Sequence, residues 1–254
     1  MYQEFKFGGA SVKDAESVKN VCKIIASNCK DPLIIIVSAM GKMTNAFETL
    51  LAAYCKGDKG AELDLRLREI IDFHQTITSE LFPAEHPVFS ELDSIYGELQ
   101  IILQGSPSQN YDYEYDKIVS YGELLSTLIV STYMNEQGIS NRWLDARELI
   151  HTDSQYREAN ILWEQTQLSL AAVLEKSEQN IFVVQGFIGS NSERLATTLG
   201  REGSDYTAAA VAWCVDAPQL TIWKDVAGVF NADPKKFPEA VLHAELSYFD
   251  ALEL

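Results

Sequence analysis

Leu33-Ile34-Ile35-Ile36-Val37 is a run of five aliphatic residues with no polar member. A strand with one wet face alternates apolar and polar side chains, so an unbroken run of this length belongs to a strand covered on both faces. Upstream, residues 2–7 have short-strand character and are followed by a Gly8-Gly9-Ala10-Ser11 turn. Val18, Val21, Cys22 and Ile25 then fall at i, i+3, i+4 and i+7, the stripe of an amphipathic helix, with Ser11 or Asp14 placed to cap its start. Strand, turn, helix and buried strand in that order call for a right-handed crossover and a parallel sheet.

The same alternation continues along the chain. After the turn Met40-Gly41-Lys42 a helix is expected over residues 44–54. Residues 57–105 have helical spacing, acidic faces and a proline break at Pro83 to Pro87, and read as helices added to the sheet rather than as a second core. A helix over 120–135 carries Leu124, Leu125, Leu128, Ile129 and Thr132 on one face. Arg142-Trp143-Leu144 is a short strand, a helix covers about 161–178, and Ile181-Phe182-Val183-Val184 is another buried strand. Residues 185–203, with four glycines, read as a hairpin plus loop. Ser204 is expected to cap an alanine-rich helix over 205–214, and Leu220 to Trp223 to form one more buried strand. The expected fold class is α/β, a three-layer αβα sandwich with a mainly parallel central sheet. Ser247-Tyr248-Phe249-Asp250 starts a helix with only about two turns left before Leu254, so the chain is expected to stop inside a helix.

Composition narrows the partners. The 254 residues are 46% hydrophobic and 22% charged, enough to enclose a sizeable core and unlike a disordered chain. A net charge of -17 repels both a phosphate backbone and an anionic membrane, so neither nucleic acid nor a lipid surface is expected as partner. The longest aliphatic run falls far short of the roughly 20 residues that span a bilayer. Residues 1–5 lack the basic and apolar stretches of a signal peptide, and a cytoplasmic protein is expected. Cys22, Cys29, Cys55 and Cys214 show no Cys-x-x-Cys spacing and read as buried free thiols. His74, His86, His151 and His243 have no metal-ligand spacing, which leaves surface or supporting roles. Trp143, Trp163, Trp213 and Trp223 read as core residues.

The charge is unevenly placed. Residues 61–98 carry nine acids against Arg66 and Arg68, whereas residues 1–44 sum to +2, 186–206 to -1 and 224–236 to +1. These three glycine-bearing segments total +2 and the rest of the chain -19, the distribution needed to admit an anionic ligand. Acidic helix faces alone would also produce it.

Four motifs are candidates for chemistry, three of them in the spared segments. Lys6-Phe7-Gly8-Gly9 ends a strand where bare backbone amides can approach phosphate oxygens and a lysine supplies positive charge, yet it lacks P-loop spacing and is compatible with an ordinary turn. Leu199-Gly200-Arg201-Glu202-Gly203-Ser204-Asp205 combines two glycines, a guanidinium suited to carboxylate or phosphate, and a helix N-terminus, and is equally a hairpin loop before a capped helix. Ser120-Tyr121-Gly122-Glu123 fits a capping box, which accounts for both Ser120 and Glu123 without a ligand. Lys224-Asp225, with Gly228 and Asp233-Pro234 beyond, puts polar groups at the carboxyl edge where α/β sheets bind ligands, or is a plain strand exit.

Taken together the segments resemble the aspartate kinases of the amino-acid kinase family. The resemblance is carried by Lys6-Phe7-Gly8-Gly9-Ala10-Ser11-Val12, Val37-Ser38-Ala39-Met40-Gly41 with Thr44-Asn45, Ser120 to Glu123, Asp145-Ala146-Arg147, Gln185-Gly186-Phe187, Thr197 to Arg201, Gly203-Ser204-Asp205-Tyr206 and Trp223-Lys224-Asp225-Val226 with Asp233-Pro234, all in family order. It implies the amino-acid kinase fold and transfer of the γ-phosphoryl group of ATP to the side-chain carboxylate of L-aspartate. The product would be 4-phospho-L-aspartate, the first step toward lysine, threonine and methionine. By the family pattern Lys6 and Asp205 are catalytic. Gly8, Gly9 and Ser11 lie near the phosphates, and Lys224, Asp225, Phe230 and Lys235 line the nucleotide site. Ser38, Thr44, Glu123, Arg201 and Ser204 surround the aspartate, with Glu123 on its amino group and Arg201 on its α-carboxylate. Magnesium would ride on ATP oxygens, with no dedicated protein cage. A kinase of glutamate or its acetylated form would keep Lys6 and the glycine turn, but would not be expected to show Ser120 to Glu123 together with Leu199 to Asp205. A nucleotide-binding domain without catalysis is the alternative of a different class.

Three departures from the family pattern stand out. Glu202 occupies a usual glycine position, where the bifunctional branch has asparagine. Phe230 and Lys235 replace tyrosine and arginine. The family continues past residue 254 with Phe-Gly-Ala-Lys-Val-Leu-His-Pro and paired ACT regulatory modules. The expectation is a catalytic domain over 1–254 with a helical acidic insertion at about 57–105, lacking those modules, and a homodimer weakened by their absence.

Overall fold

The computed structural model describes residues 1–29, 32–57 and 60–253. Leu254, the end of the last expected helix, lies outside them. In chain order the elements are β1 (Gln3–Phe7), α1 (Ala15–Asn28), β2 (Leu33–Val37), α2 (Met43–Cys55), α3 (Ala61–Leu81), α4 (Val88–Gln104), α5 (Tyr111–Val119), α6 (Tyr121–Glu136), β3 (Arg142–Leu144) and α7 (Ala146–Leu149). There follow α8 (Trp163–Glu175), β4 (Ile181–Gln185), β5 (Ile188–Ser190), β6 (Ala196–Thr198), α9 (Gly203–Cys214), β7 (Leu220–Trp223) and α10 (Tyr248–Glu253). The chain divides into two compact units, Met1–Trp223 and Lys224–Leu254.

In the first unit five strands form a sheet in the order β3-β4-β2-β1-β7, every pair parallel. The aliphatic run is its central strand. All five residues of β2 are buried, with Ile34 paired to Glu4 and Phe182, and Ile36 to Lys6 and Val184. Helix α9, with α8 packed against it, covers the face of β1 that carries Lys6. Phe5 and Phe7 point the other way, toward α1, with α6 packed among α2 to α5 on that side. The three-layer sandwich expected from the sequence is therefore present. α3 and α4 add Ile70, Ile77, Leu92 and Leu99 to the same apolar cluster as the sheet rather than building their own. Asp14, not Ser11, caps α1, its carboxylate accepting from Ser17 N at 2.8 Å; Ser11 lies in a 3-10 turn over Gly9–Val12.

Several local expectations are corrected. β7 is the edge strand and only partly covered, because β1 flanks it on one side alone among the described residues. Trp213 is 61% exposed and Trp163 39%; both lie on the outer faces of α8 and α9, where they touch each other at 5.1 Å between ring centroids instead of the core. His74 is wholly buried in α3, its Nδ1 2.8 Å from the Ile70 carbonyl oxygen, and burial pushes its pKa down to about 4. Cys22 and Cys214 are buried free thiols, while Cys29 and Cys55 are half-buried. No described helix is long and apolar enough to cross a membrane.

Within the second unit Phe230 forms an isolated bridge with Leu242, and the Asp233 carboxylate accepts from Lys235 N at 2.9 Å. Ser247 and Asp250 make a reciprocal capping pair at the start of α10, as the sequence suggested.

Candidate active site

Parallel strands bring their carboxyl ends to one edge of the sheet, and the loops leaving that edge enclose a cavity of about 820 Å³. That is within the range of small-molecule sites. Lys6 enters it from β1, Ser38, Ala39, Gly41 and Thr44 from the loop and helix after β2, Glu123 from α6, and Gly200 to Asp205 from the loop that opens α9.

The two loops after β1 and β2 are locked together. A Cβ on Gly9 would stand 2.7 Å from the Ala39 carbonyl oxygen and 2.9 Å from that of Gly41, closer than any side chain tolerates. Glycine at position 9 lets the backbones touch, and Gly41 N then donates to Gly9 O at 2.9 Å. Lys6 is 5% exposed and ion-paired with Asp205 in the first turn of α9. The positive end of the α9 dipole faces the same space, since Gly203, Ser204 and Asp205 all line it. Ser204 is already inside the helix, and Glu202, with φ of 56°, occupies the cap position without a side-chain cap bond, so the expected Ser204 cap is not formed.

Glu123 settles between the two readings of Ser120 to Glu123. Ser120 has helical backbone angles, because α5 runs directly into α6, and there is no free helix end to cap. Its hydroxyl bonds instead to Lys117 O. Glu123 is 2% exposed, and one carboxylate oxygen accepts from Ala39 N at 3.3 Å while the other has no partner among the described residues. Burial pushes its pKa up to about 8. Arg201, exposed in the same cavity, makes no ion pair among the described residues. The site thus holds one exposed guanidinium and one buried carboxylate beside the ion pair of buried Lys6 with half-buried Asp205.

The Gln185 and Asp145 motifs hold the scaffold. Buried Gln185 accepts from Ala146 N at 2.6 Å and donates to Thr127 Oγ1 at 2.6 Å, tying β4 to α7 and α6. Asp145 caps α7 and pairs with Arg147 at 2.6 Å.

A family model described as "Amino acid kinase family" matches residues 5–254. The chain belongs to the amino acid kinase family. This amino acid kinase chain is 33% identical over its whole length to bifunctional aspartokinase/homoserine dehydrogenase 2, chloroplastic, of Zea mays, of which it covers 28%. Its fold matches that of E. coli aspartokinase III in complex with lysine and aspartate (T-state), with a TM-score of 0.85 and 28% identity over 95% of this chain and 53% of that one. The same enzyme in complex with aspartate and ADP (R-state) matches with a TM-score of 0.81 and 29% identity, over 96% and 53% of the two chains. The chain therefore spans between about a quarter and about half the length of these relatives.

Of the residues singled out from the sequence, Lys6, Gly9, Ser38, Thr44, Glu123, Arg201, Ser204 and Asp205 line the amino acid kinase cavity. Gly8 and Ser11 flank it: a Cβ on Gly8 would be 3.6 Å from Lys6 Nζ, and Ser11 N donates to Gly8 O. Lys224, Asp225, Phe230 and Lys235 belong to the second compact unit. A further side of the cavity, made by Asp112, Tyr115, Gln155, Tyr156, Arg157 and Glu158, was not foreseen. There the Arg157 guanidinium lies 4.5 Å from the Tyr115 ring centroid and 3.3 Å from Asp112. These residues come from α5 and an irregular loop, where no periodicity marks a lining position. Among the described residues no three His, Cys, Asp or Glu side chains converge as a metal cage.

Proposed function

We propose that this chain transfers the γ-phosphoryl group of ATP to the side-chain carboxylate of L-aspartate, giving 4-phospho-L-aspartate. The observation that carries the reading is the presence in one cavity of buried Glu123, with a carboxylate oxygen that has no partner among the described residues, and of Arg201, without an ion pair among them, beside the Lys6–Asp205 pair. An α-amino acid offers an ammonium and a carboxylate from one carbon, and this pair of receptors matches both. The E. coli relative bound to aspartate and ADP supports the choice of substrates.

The reacting side-chain carboxylate is ionised at neutral pH, so no general base is required. What the protein must supply is position and neutralisation of charge between two anions. Glu123 takes the amino group and Arg201 the α-carboxylate, with Ser38, Thr44 and Ser204 around them. Lys6 faces the phosphoryl group in transfer, Asp205 orients Lys6, and Gly8, Gly9 and Ser11 lie along the phosphates. Lys224, Asp225, Phe230 and Lys235 serve the nucleotide. Magnesium fits as an ion held by the phosphate oxygens of ATP, with Asp205 as the carboxylate facing it, and would supply neutralisation of phosphate charge. In the same reading the product serves lysine, threonine and methionine synthesis, and the enzyme works as a cytoplasmic homodimer.

A coupled assay with ATP and L-aspartate tests this, run on the wild type and on Glu123→Gln. Aspartate-dependent ADP release, with a KM for aspartate raised in the variant far more than that for ATP, is the expected result. ATP binding without aspartate-dependent turnover would favour a binding-only domain.

A further inference from the structure

We infer that Asp116, which lines neither the phosphate nor the aspartate side of the cavity, is the positioning residue for the loop that carries Arg201. The inference rests on the reading of Arg201 as the α-carboxylate receptor. Asp116 lies in α5, is fully buried, and spends its whole acceptor capacity on two chain segments. Its carboxylate accepts from Thr198 N at 2.9 Å and from Thr198 Oγ1 at 2.6 Å. It also accepts from Arg157 N, at 3.1 and 3.0 Å to its two oxygens. Burial pushes its pKa up to about 6 while these donors act against the rise, and the carboxylate remains the charged acceptor at neutral pH.

The two segments it holds meet beside Arg201. Ala159 N donates to Thr198 O at 3.0 Å, and Leu199 N to Phe187 O at 2.9 Å. Gly200 then turns at φ of 78°, a left-handed angle, with its Cα packed so that an added Cβ would sit 3.2 Å from Arg157 O and 3.3 Å from Glu158 Cγ. Arg201 projects from the next residue into the cavity. The backbone of residues 198–200 that leads into it is thus held from three sides, and the buried carboxylate is the common anchor of two of them. Arg157 itself is held at φ of 68°, an angle a non-glycine residue adopts only when its surroundings impose it.

The amide of Asp116→Asn keeps the volume but turns an N–H₂ toward backbone donors, so at most one oxygen remains to serve both segments. Thr198→Val removes only the hydroxyl bond and leaves the fold's packing in place. In the full-length protein, Asp116→Asn is expected to raise the KM for aspartate on the order of 10- to 100-fold and Thr198→Val severalfold, with the KM for ATP changed by less than about twofold. Equal rises in both constants, or an unchanged KM for aspartate, would overturn the inference. Hydrogen–deuterium exchange gives a second readout independent of turnover. Protection should fall together in residues 156–160 and 198–202 of both variants, with α1 unaffected, and unchanged protection there would equally overturn the role of Asp116. A wild type without aspartate-dependent turnover would instead remove the substrate assignment, while the exchange result would still decide whether Asp116 holds the loop.

Discussion

Lys6 in β1 is ion-paired with Asp205 in the first turn of α9, joining the carboxyl edge of the sheet to the helix that caps the cavity. Both groups are largely withdrawn from water, so each is needed to keep the other compensated. Lys6→Ala is expected to lower kcat by about 10²- to 10³-fold, the usual loss for one electrostatic contact to developing charge. The comparison is made at saturating ATP and aspartate. A Lys6→Ala protein with the wild-type kcat would remove Lys6 from the chemistry.

Burial pushes the pKa of Glu123 up to about 8, and in the proposed function the carboxyl must be ionised to receive the ammonium group of aspartate. The value of kcat/KM for aspartate should therefore climb with pH, about tenfold per unit well below 8, and level off above it. Glu123→Gln should flatten this limb. Stability moves the opposite way. The folded protein holds a proton that the unfolded chain releases near 4.5, so stability falls as pH rises from about 4.5 to 8. The Tm of Glu123→Gln should gain on the wild type between pH 5 and pH 8 in thermal scans.

Glu4, two residues before Lys6 on the same face of β1, is fully buried, and neither of its oxygens finds a partner among the described residues. Burial raises its pKa to about 9. Folding at pH 7 thus takes up a proton, at a cost of about 3 kcal/mol that grows with pH until about 9. Glu4→Leu should raise Tm, and by more at pH 8 than at pH 5. A variant less stable than wild type at pH 8 would show that the carboxyl is accommodated in some other way.

Glu202 brings a carboxylate to the cavity and does so from a left-handed backbone angle. Glu202→Gln removes the charge and keeps the angle, whereas Glu202→Gly removes both, relieving about 1 kcal/mol of backbone strain. If the charge repels aspartate and ATP, both variants should lower the KM for aspartate severalfold at low ionic strength. A fall in Glu202→Gly alone would assign the effect to the backbone.

The sheet was legible because Leu33–Val37 and Ile181–Gln185 lack alternation, and central strands are the elements whose burial is written most directly in residue type. The candidate site was legible where it sits on strand ends and at a helix start, as with Lys6, Ser38 and Asp205. Spacing misled at Ser120, since a capping box presupposes a helix end, and whether α5 stops or runs on is decided by packing. It misled at Trp163 and Trp213 because hydrophobic type does not reveal which face of a helix is covered. Asp116 and Arg157 carry no local signature at all. The partners of Asp116, Thr198 and Arg157, are 82 and 41 residues from it, a distance only the folded chain closes.

The passage of α5 into α6 through Ser120 leaves the chain in helical geometry from Asp116 to Glu123. Each residue of a helix turns the chain by about 100° and advances it about 1.5 Å. Inserting or deleting one residue between 116 and 123 would swing the group that grips Thr198 away from the group that bonds to Ala39. This stretch behaves as a fixed-length gauge: all of it but half-buried Lys117 is packed inside, and a change in its residue count is not tolerable.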